Sequence, residues 1–349
     1  MGFEFRILQA HHGDSILISC EFDDQPRNVL IDGGPPKTFK YQHAEGSLKK
    51  TLRAIKANNQ KIDLLILTHV DDDHIGGLLA GFKNKGLLEE LTQEVWFNSG
   101  KLIFNSFNEP LDETNLVTLE PKAGNKTSIT QGIKLEEHLE KLEIWDHPLI
   151  KSGDILEKFG ITFKVLSPST EKLSKLLVKW EREHPETITS SGETDYSLSF
   201  SELLDNDKFN EDQSIHNGSS IAFILETQQK SILFLGDAHP SVVIDSLTKL
   251  GYSVDNPLNI DYMKISHHGS KANTNSELLE LITCKNFIIS TNGLSHKLPN
   301  KKTLARIVQH FPTANLMFNY PHLIKQIFTP DELHMATFSV SECTEVICL

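Results

Sequence analysis

The chain has 349 residues, enough to bury a large core without help from disulfides or a structural metal. Its 34 Lys and Arg against 47 Asp and Glu give a net charge of −13, which works against tight, sequence-independent binding to duplex DNA. Cys20, Cys284, Cys343 and Cys348 lack the spacing of a zinc knuckle or a disulfide scaffold, the first residues lack a secretory pattern, and no apolar run is long enough to span a membrane; a cytoplasmic protein with reduced thiols and no membrane association is expected.

Phe5–Leu8 and Ser15–Ser19 read as strands, joined by Gln9-Ala10-His11-His12-Gly13-Asp14. Asn28–Ile31 is a third strand, ending in the turn signal Asp32-Gly33-Gly34-Pro35-Pro36. Ser47–Ala57 carries Leu48, Leu52 and Ile55 at helical spacing among basic residues. Ile62–Leu67 is a short apolar run of the buried-strand type, and it leads directly into Thr68-His69.

From about residue 100 to 215 the pattern changes. Strands are expected at Leu142–Trp145 and Ile161–Val165, and a charged helix at Ser169–Glu183. Around them lie a Lys-bearing segment with Lys122, Lys126 and Lys134, a polar run Thr187–Ser201 and an acidic one, Asp205–Asp212. This stretch reads as an insertion or lid within a single domain spanning 1–349, and as the place where a protein partner would bind. Beyond it, strands are expected at Ile221–Leu225, Ser231–Leu235, Asp261–Ile265 and Asn286–Ser290. Helices are expected at Ser241–Leu250, Ser276–Ile282 and Lys302–Phe311, with a closing strand in Thr337–Leu349.

The chemistry concentrates in Thr68-His69-Val70-Asp71-Asp72-Asp73-His74-Ile75-Gly76-Gly77. An apolar strand ends at His69 and a helix begins near Ile75. Ligands on such a strand-to-helix turn converge on one point because the strand fixes their origin. Imidazole and carboxylate donors together suit Zn²⁺, Mn²⁺ or Fe²⁺, and the two glycines are expected to let the backbone turn closely beneath the metals. Three later elements end a strand in similar donors: Phe234-Leu235-Gly236-Asp237, Ile265-Ser266-His267-His268-Gly269-Ser270, and Thr291-Asn292-Gly293-Leu294-Ser295-His296.

These motifs resemble the metallo-β-lactamase superfamily, whose signature is His-x-His-x-Asp-His. They are most similar to its competence-type branch, the hydrolase domain of bacterial DNA-uptake channels, which has Asp at the second histidine as Asp71 stands here. That branch also has Gly-Asp-Ser and Leu-Ile-Asp-Gly-Gly near its start, matched by Gly13-Asp14-Ser15 and Leu30-Ile31-Asp32-Gly33-Gly34. Its Asn-x-x-Ser, where other branches place a metal-binding histidine, is matched by Asn217-Gly218-Ser219-Ser220. The resemblance covers residues 5–80 and 215–312; His11-His12 depart from it.

The resemblance implies an αβ/βα four-layer sandwich with a central insertion and two divalent metals, Zn or Mn. One site would use His69, Asp71 and Asp237. The other would use Asp73, His74, Asp237 and one of His267 and His268, with Asp237 bridging. It further implies a metal-dependent hydrolase, a phosphodiesterase or nuclease using a dinuclear metal-bound hydroxide. Its substrate would bear a phosphate, as a nucleotide or single-stranded nucleic acid does. Asp73 would orient the hydroxide, and His296 would donate to a phosphate oxygen or protonate the leaving group. The alternatives are a small-molecule esterase or lactonase, and a non-catalytic metal-binding module.

Overall fold

The computed structural model describes residues 3–83, 87–107, 128–181, 194–205, 207–343 and 346–348. Lys122, Lys126 and residues 187–193 of the polar run lie outside these residues.

Two sheets form the frame. Among the described residues the first has six strands, in the order Ile347–Cys348, Phe3–Ile7, Ile16–Phe22, Gln25–Ile31, Leu64–Ile66, Val95–Trp96. The second has eight, in the order Ser339–Glu342, Asn315–Phe318, Ile282–Ile289, Leu258–Lys264, Ser231–Phe234, Ala222–Glu226, Ile161–Ser167, Ile155–Lys158. Side chains alternate across each strand, and the alternation sorts them into layers. Ile18, Val29, Ile31, Leu64 and Ile66 of the first sheet pack with Phe163, Phe223, Leu225, Ile232 and Phe234 of the second, so the two inner faces meet. Their neighbours Leu17, Leu30 and Leu65 turn outward to the helices Ser47–Ala57, Asp72–Phe82 and Ser128–Leu142. Ile224, Leu233, Met263 and Phe287 turn outward on the other side, to Pro240–Lys249 and Lys301–His310. Helices, sheet, sheet, helices: these are the four layers expected.

Residues 128–181 do not stand apart from this frame. Phe163 and Val165 lie in the inter-sheet core, and Leu135, Leu139, Leu173, Leu176 and Trp180 join the outer core of the first sheet. These elements of the 100–215 stretch thus contribute to both the inter-sheet core and the outer core. Their polar faces disguise one-sided burial. Leu142–Trp145 is not a strand: Leu142 ends a helix, and Ile144 only lends its carbonyl to Val95 N. The tail holds two short strands rather than one, and they belong to different sheets.

In the parallel part of each sheet the strands end on the same edge. Ile31 pairs with Ile66, and Phe234 with Lys264 and Lys264 with Ile288. Asp32, His69, Asp237, His267 and His268 follow these ends. Loops at the carboxyl ends of parallel strands are where such sheets place their chemistry.

Candidate metal centre

The loop after Leu64–Ile66 is fixed from below by Asp32, which is fully buried in a left-handed conformation at φ 57°. Its carboxylate accepts from Thr68 N and Thr68 Oγ1, both at 2.8 Å, and from His74 Nδ1 at 2.7 Å. Asp71 occupies the N-cap position of the helix Asp72–Phe82 without a side-chain capping bond. Gly76 and Gly77 lie within this helix, and their role differs from the one expected. A Cβ on Gly77 would stand 2.0 Å from Gly33 O, and one on Gly76 2.4 Å from Pro36 Cδ. They let the helix dock on the Asp32–Pro36 turn rather than shaping a turn beneath a metal.

Four imidazoles face inward in one tautomer. Thr68 commits its hydroxyl proton to Asp32, so Thr68 Oγ1 accepts from His69 Nδ1 at 3.1 Å. His74 Nδ1 donates to Asp32, His268 Nδ1 to Ser290 O at 2.9 Å, and His267 Nδ1 to Asn273 Oδ1 at 3.0 Å. In the neutral ring each Nε2 is thereby left as a lone pair. Nε2 of His69, His74 and His268 and Oδ1 of Asp237 are buried without a hydrogen-bond partner among the described residues. Burying such groups unpaired costs about 1–3 kcal/mol each, and a divalent ion removes that cost. Metal-ligating histidines characteristically donate their other nitrogen in this way. The donor set therefore fits divalent metal.

The donors converge. His69 Nε2 lies 3.6 Å from Asp71 Oδ2 and 3.8 Å from Asp237 Oδ2. His74 Nε2 lies 3.5 Å from Asp237 Oδ1 and 3.9 Å from Asp73 Oδ1. His268 Nε2 lies 3.4 Å from Asp73 Oδ2 and 3.9 Å from Asp237 Oδ2, and His267 Nε2 is 3.8 Å from that same oxygen. All seven expected ligands meet, and both adjacent histidines reach Asp237. They do so through successive left-handed residues, at φ 47° and 53°. For residues with a Cβ, each such conformation costs about 1–2 kcal/mol, which the surrounding structure must overcome.

Asp14, His74, Asp237 and His268 also bring ligand-capable atoms within 4.8 Å of one another. Asp14 is better placed behind the centre than in it. It pairs closely with the buried Lys264, and its Oδ1 faces His268 Nδ1 at 3.5 Å, on the side away from Asp237.

Burial opposes ionisation of Asp237, but His74, His267 and His268 outweigh it and hold the carboxyl well below its ordinary range. Burial likewise opposes charge on His268, and Asp14 and Asp237 outweigh it, raising its pKa to about 9.

Several supporting residues escaped the sequence reading. Asp212 approaches His267 Nδ1 to 3.4 Å and accepts from Asn217 Nδ2 at 2.7 Å, although its run reads only as an acidic part of the insertion. His216 Nδ1 donates to Asp71 Oδ1 at 2.7 Å, and Ser128 Oγ donates to the same oxygen. Ser220 Oγ lies 3.0 Å from His69 Nδ1 and accepts from Asp237 N. Only the Asn-x-x-Ser motif signalled any of this. His296, expected to act on the substrate, is exposed at φ 51°, and no hydrogen bond or ion pair joins it to the cluster among the described residues.

Residues 10–148 match the metallo-beta-lactamase superfamily. The fold is that of the metallo-β-lactamases. The chain is 25% identical over 321 residues to ComE operon protein 3 of Bacillus subtilis, covering 88% of this chain and 31% of that protein. It thus spans about a third of this relative's length. Among solved structures it is similar to the metallo-beta-lactamase fold protein YhfI from Bacillus subtilis, at 12% identity and TM-score 0.40, covering 99% of each chain. It is also similar to a diphosphatase from the PhnP family, at 11% identity and TM-score 0.42, covering 100% of this chain and 98% of that one. Within this fold the cluster is a candidate divalent-metal centre; among the described residues no helix is long and apolar enough to cross a membrane.

Proposed function

We propose that the chain is a phosphodiesterase or nuclease working with two divalent ions, acting on a nucleotide or on single-stranded nucleic acid. The observation that carries the proposal is the set of inward Nε2 atoms and the carboxylates of Asp71 and Asp73 around Asp237, with His69 beside Asp71 and His74 beside Asp73. Such a pair supplies Lewis acidity and makes hydroxide available near neutral pH. A carboxylate at Asp71, where other branches have histidine, makes the first site harder and more anionic, which favours Mn²⁺ over tightly held Zn²⁺. The same charge suits a phosphate substrate only when cations are present, since the chain itself carries −13.

The protein's own part is positioning. Asp32 and Ser290 O lock the orientation of His74 and His268. Asp73 lies between His74 and His268 with its side chain partly exposed, so it can accept a proton from an attacking water while holding its place. His296 stands on an exposed loop whose Asn292 N donates to His11 O; we propose that it meets the substrate or leaving group from there.

Chelator-treated protein should be assayed on a chromogenic phosphodiester, single-stranded DNA and a lactone panel, with Mn²⁺ or Zn²⁺. Phosphodiester cleavage should be faster with Mn²⁺, and Asp73→Ala should lower it by about 10²-fold or more. Lactone turnover without phosphodiester turnover would favour the esterase alternative. Equal or better activity with Zn²⁺ would remove the metal assignment.

A further inference from the structure

The element Ser266–Gly269 carries two histidines where one ligand is needed for the second site. Their surroundings differ. His268 is 2% exposed, faces Asp73 and packs its ring 5.4 Å from that of His74. His267 is 25% exposed by side chain, turns its ring 72° from that of His268, and has Asp212, Asn217 and Asn273 around its Nδ1.

Two donors bound to one ion at about 2.1 Å stand roughly 3–4 Å apart. His69 Nε2 stands 3.6 Å from Asp71 Oδ2 and 3.8 Å from Asp237 Oδ2, and His267 Nε2 stands 3.8 Å from that same Asp237 oxygen. This side lacks an imidazole twice over. Asp71 stands at one histidine position, and Asn217, at the other, turns its Nδ2 to Asp212. His216 meets this side only through Nδ1, which faces Asp71 Oδ1; among the described residues its Nε2 forms no ion pair with Asp71 or Asp237.

We infer that the adjacent histidines divide between two metal sites: His268 completes the Asp73–His74–Asp237 site, and His267 supplies the His69–Asp71–Asp237 site with its second imidazole. Asp212 is the positioning carboxylate for His267: it lies 3.4 Å from Nδ1 and accepts from Nδ2 of Asn273, whose Oδ1 receives the Nδ1 proton. The two residues follow each other in left-handed conformations and their rings stand 72° apart, so neighbouring imidazoles approach Asp237 Oδ2 from different directions. The inference rests on the two-ion reading above and assigns the ligands within it.

The test counts ions rather than turnover. Chelator-treated wild-type chain, His267→Asn and His268→Asn are titrated with Mn²⁺; bound metal is measured by elemental analysis and by the Mn²⁺ EPR spectrum. Asn is chosen because it tolerates the left-handed backbone. Wild type should hold two ions with an exchange-coupled signal. Each variant should lose one ion, by at least about tenfold in affinity, and show the six-line spectrum of an isolated ion. Adding Asp73→Asn separates the sites. With His268→Asn it should remove the same single ion, and with His267→Asn it should remove both. Asp212→Asn, which leaves the histidine in place, should weaken the His267 ion by about 10–100-fold. Two ions held with wild-type affinity in His267→Asn would overturn the inference alone, and would leave His267 as a substrate contact. One ion or none in the wild type would overturn the two-ion reading, and this assignment with it.

Discussion

Asp237 sits 2% exposed among four imidazoles, and among the described residues no Lys or Arg forms an ion pair with it, so its charge is compensated by histidines. The consequence is a pH dependence whose sign can be worked out from His268. Its pKa is raised from the ordinary 6.5 to about 9, against burial, by Asp14 and Asp237. A folded-state pKa above the unfolded one stabilises the metal-free protein fully below pH 6.5, and that contribution is lost as pH rises through about 9. The Tm of chelated protein should therefore fall between these limits, whereas metal affinity should climb across them because the proton no longer competes. A chelated Tm that is flat or rising over this window would count against the assignment. Asp237→Asn should abolish metal retention, measured by elemental analysis after gel filtration.

At the level of elements, the centre depends on close backbone approach. Asp14 N donates to Asp73 O, and a Cβ on Gly13 would fall 1.8 Å from that oxygen. Gly77 touches Gly33 O just as closely. Gly77→Ala should push the helix Asp72–Phe82 off its seat and lower stability by about 1–3 kcal/mol in a urea titration, with metal affinity falling in step. A neutral substitution would mean that the helix shifts freely, and so does not fix Asp73 and His74. Other elements were plain in the sequence. The helix Ser47–Ala57 has the limits that its apolar spacing gives, because one face is buried and the other solvated. The strand Ile161–Ser167 was half seen, yet its place between Ala222–Glu226 and Ile155–Lys158 was not, because a strand's own residues do not name its neighbours.

For the whole molecule, distant segments are clamped by buried charge. Arg306 is 2% exposed and donates to both oxygens of Asp207, at 2.7 and 2.8 Å, fastening the Asp205–Asp212 run, and so Asp212, to the helix Lys301–His310. Asp207→Ala leaves that guanidinium unpaired and should cost about 3–5 kcal/mol in denaturant unfolding; an unchanged midpoint would show the pair to be solvated. Metal should act at the same scale, raising stability by about 2.7 kcal/mol at a hundredfold excess over Kd, read as a Tm shift on adding Mn²⁺ to chelated protein.

The residues of the centre were legible before the fold because strand-end donors recur in a dense pattern, and coordination chemistry restricts which residue types can appear there. Asp32, Asp212, His216 and Ser220 could not be assigned their roles that way, for a hydrogen bond to a ligand's far nitrogen leaves no periodicity along the chain. Sequence alone determined the chemistry available and most local elements, through apolar spacing and donor type. Only the tertiary structure decided that both His267 and His268 reach Asp237, that residues 128–181 share the core, and that the tail crosses between sheets. Each of these depends on which groups face one another across space, a matter of packing that no single segment encodes.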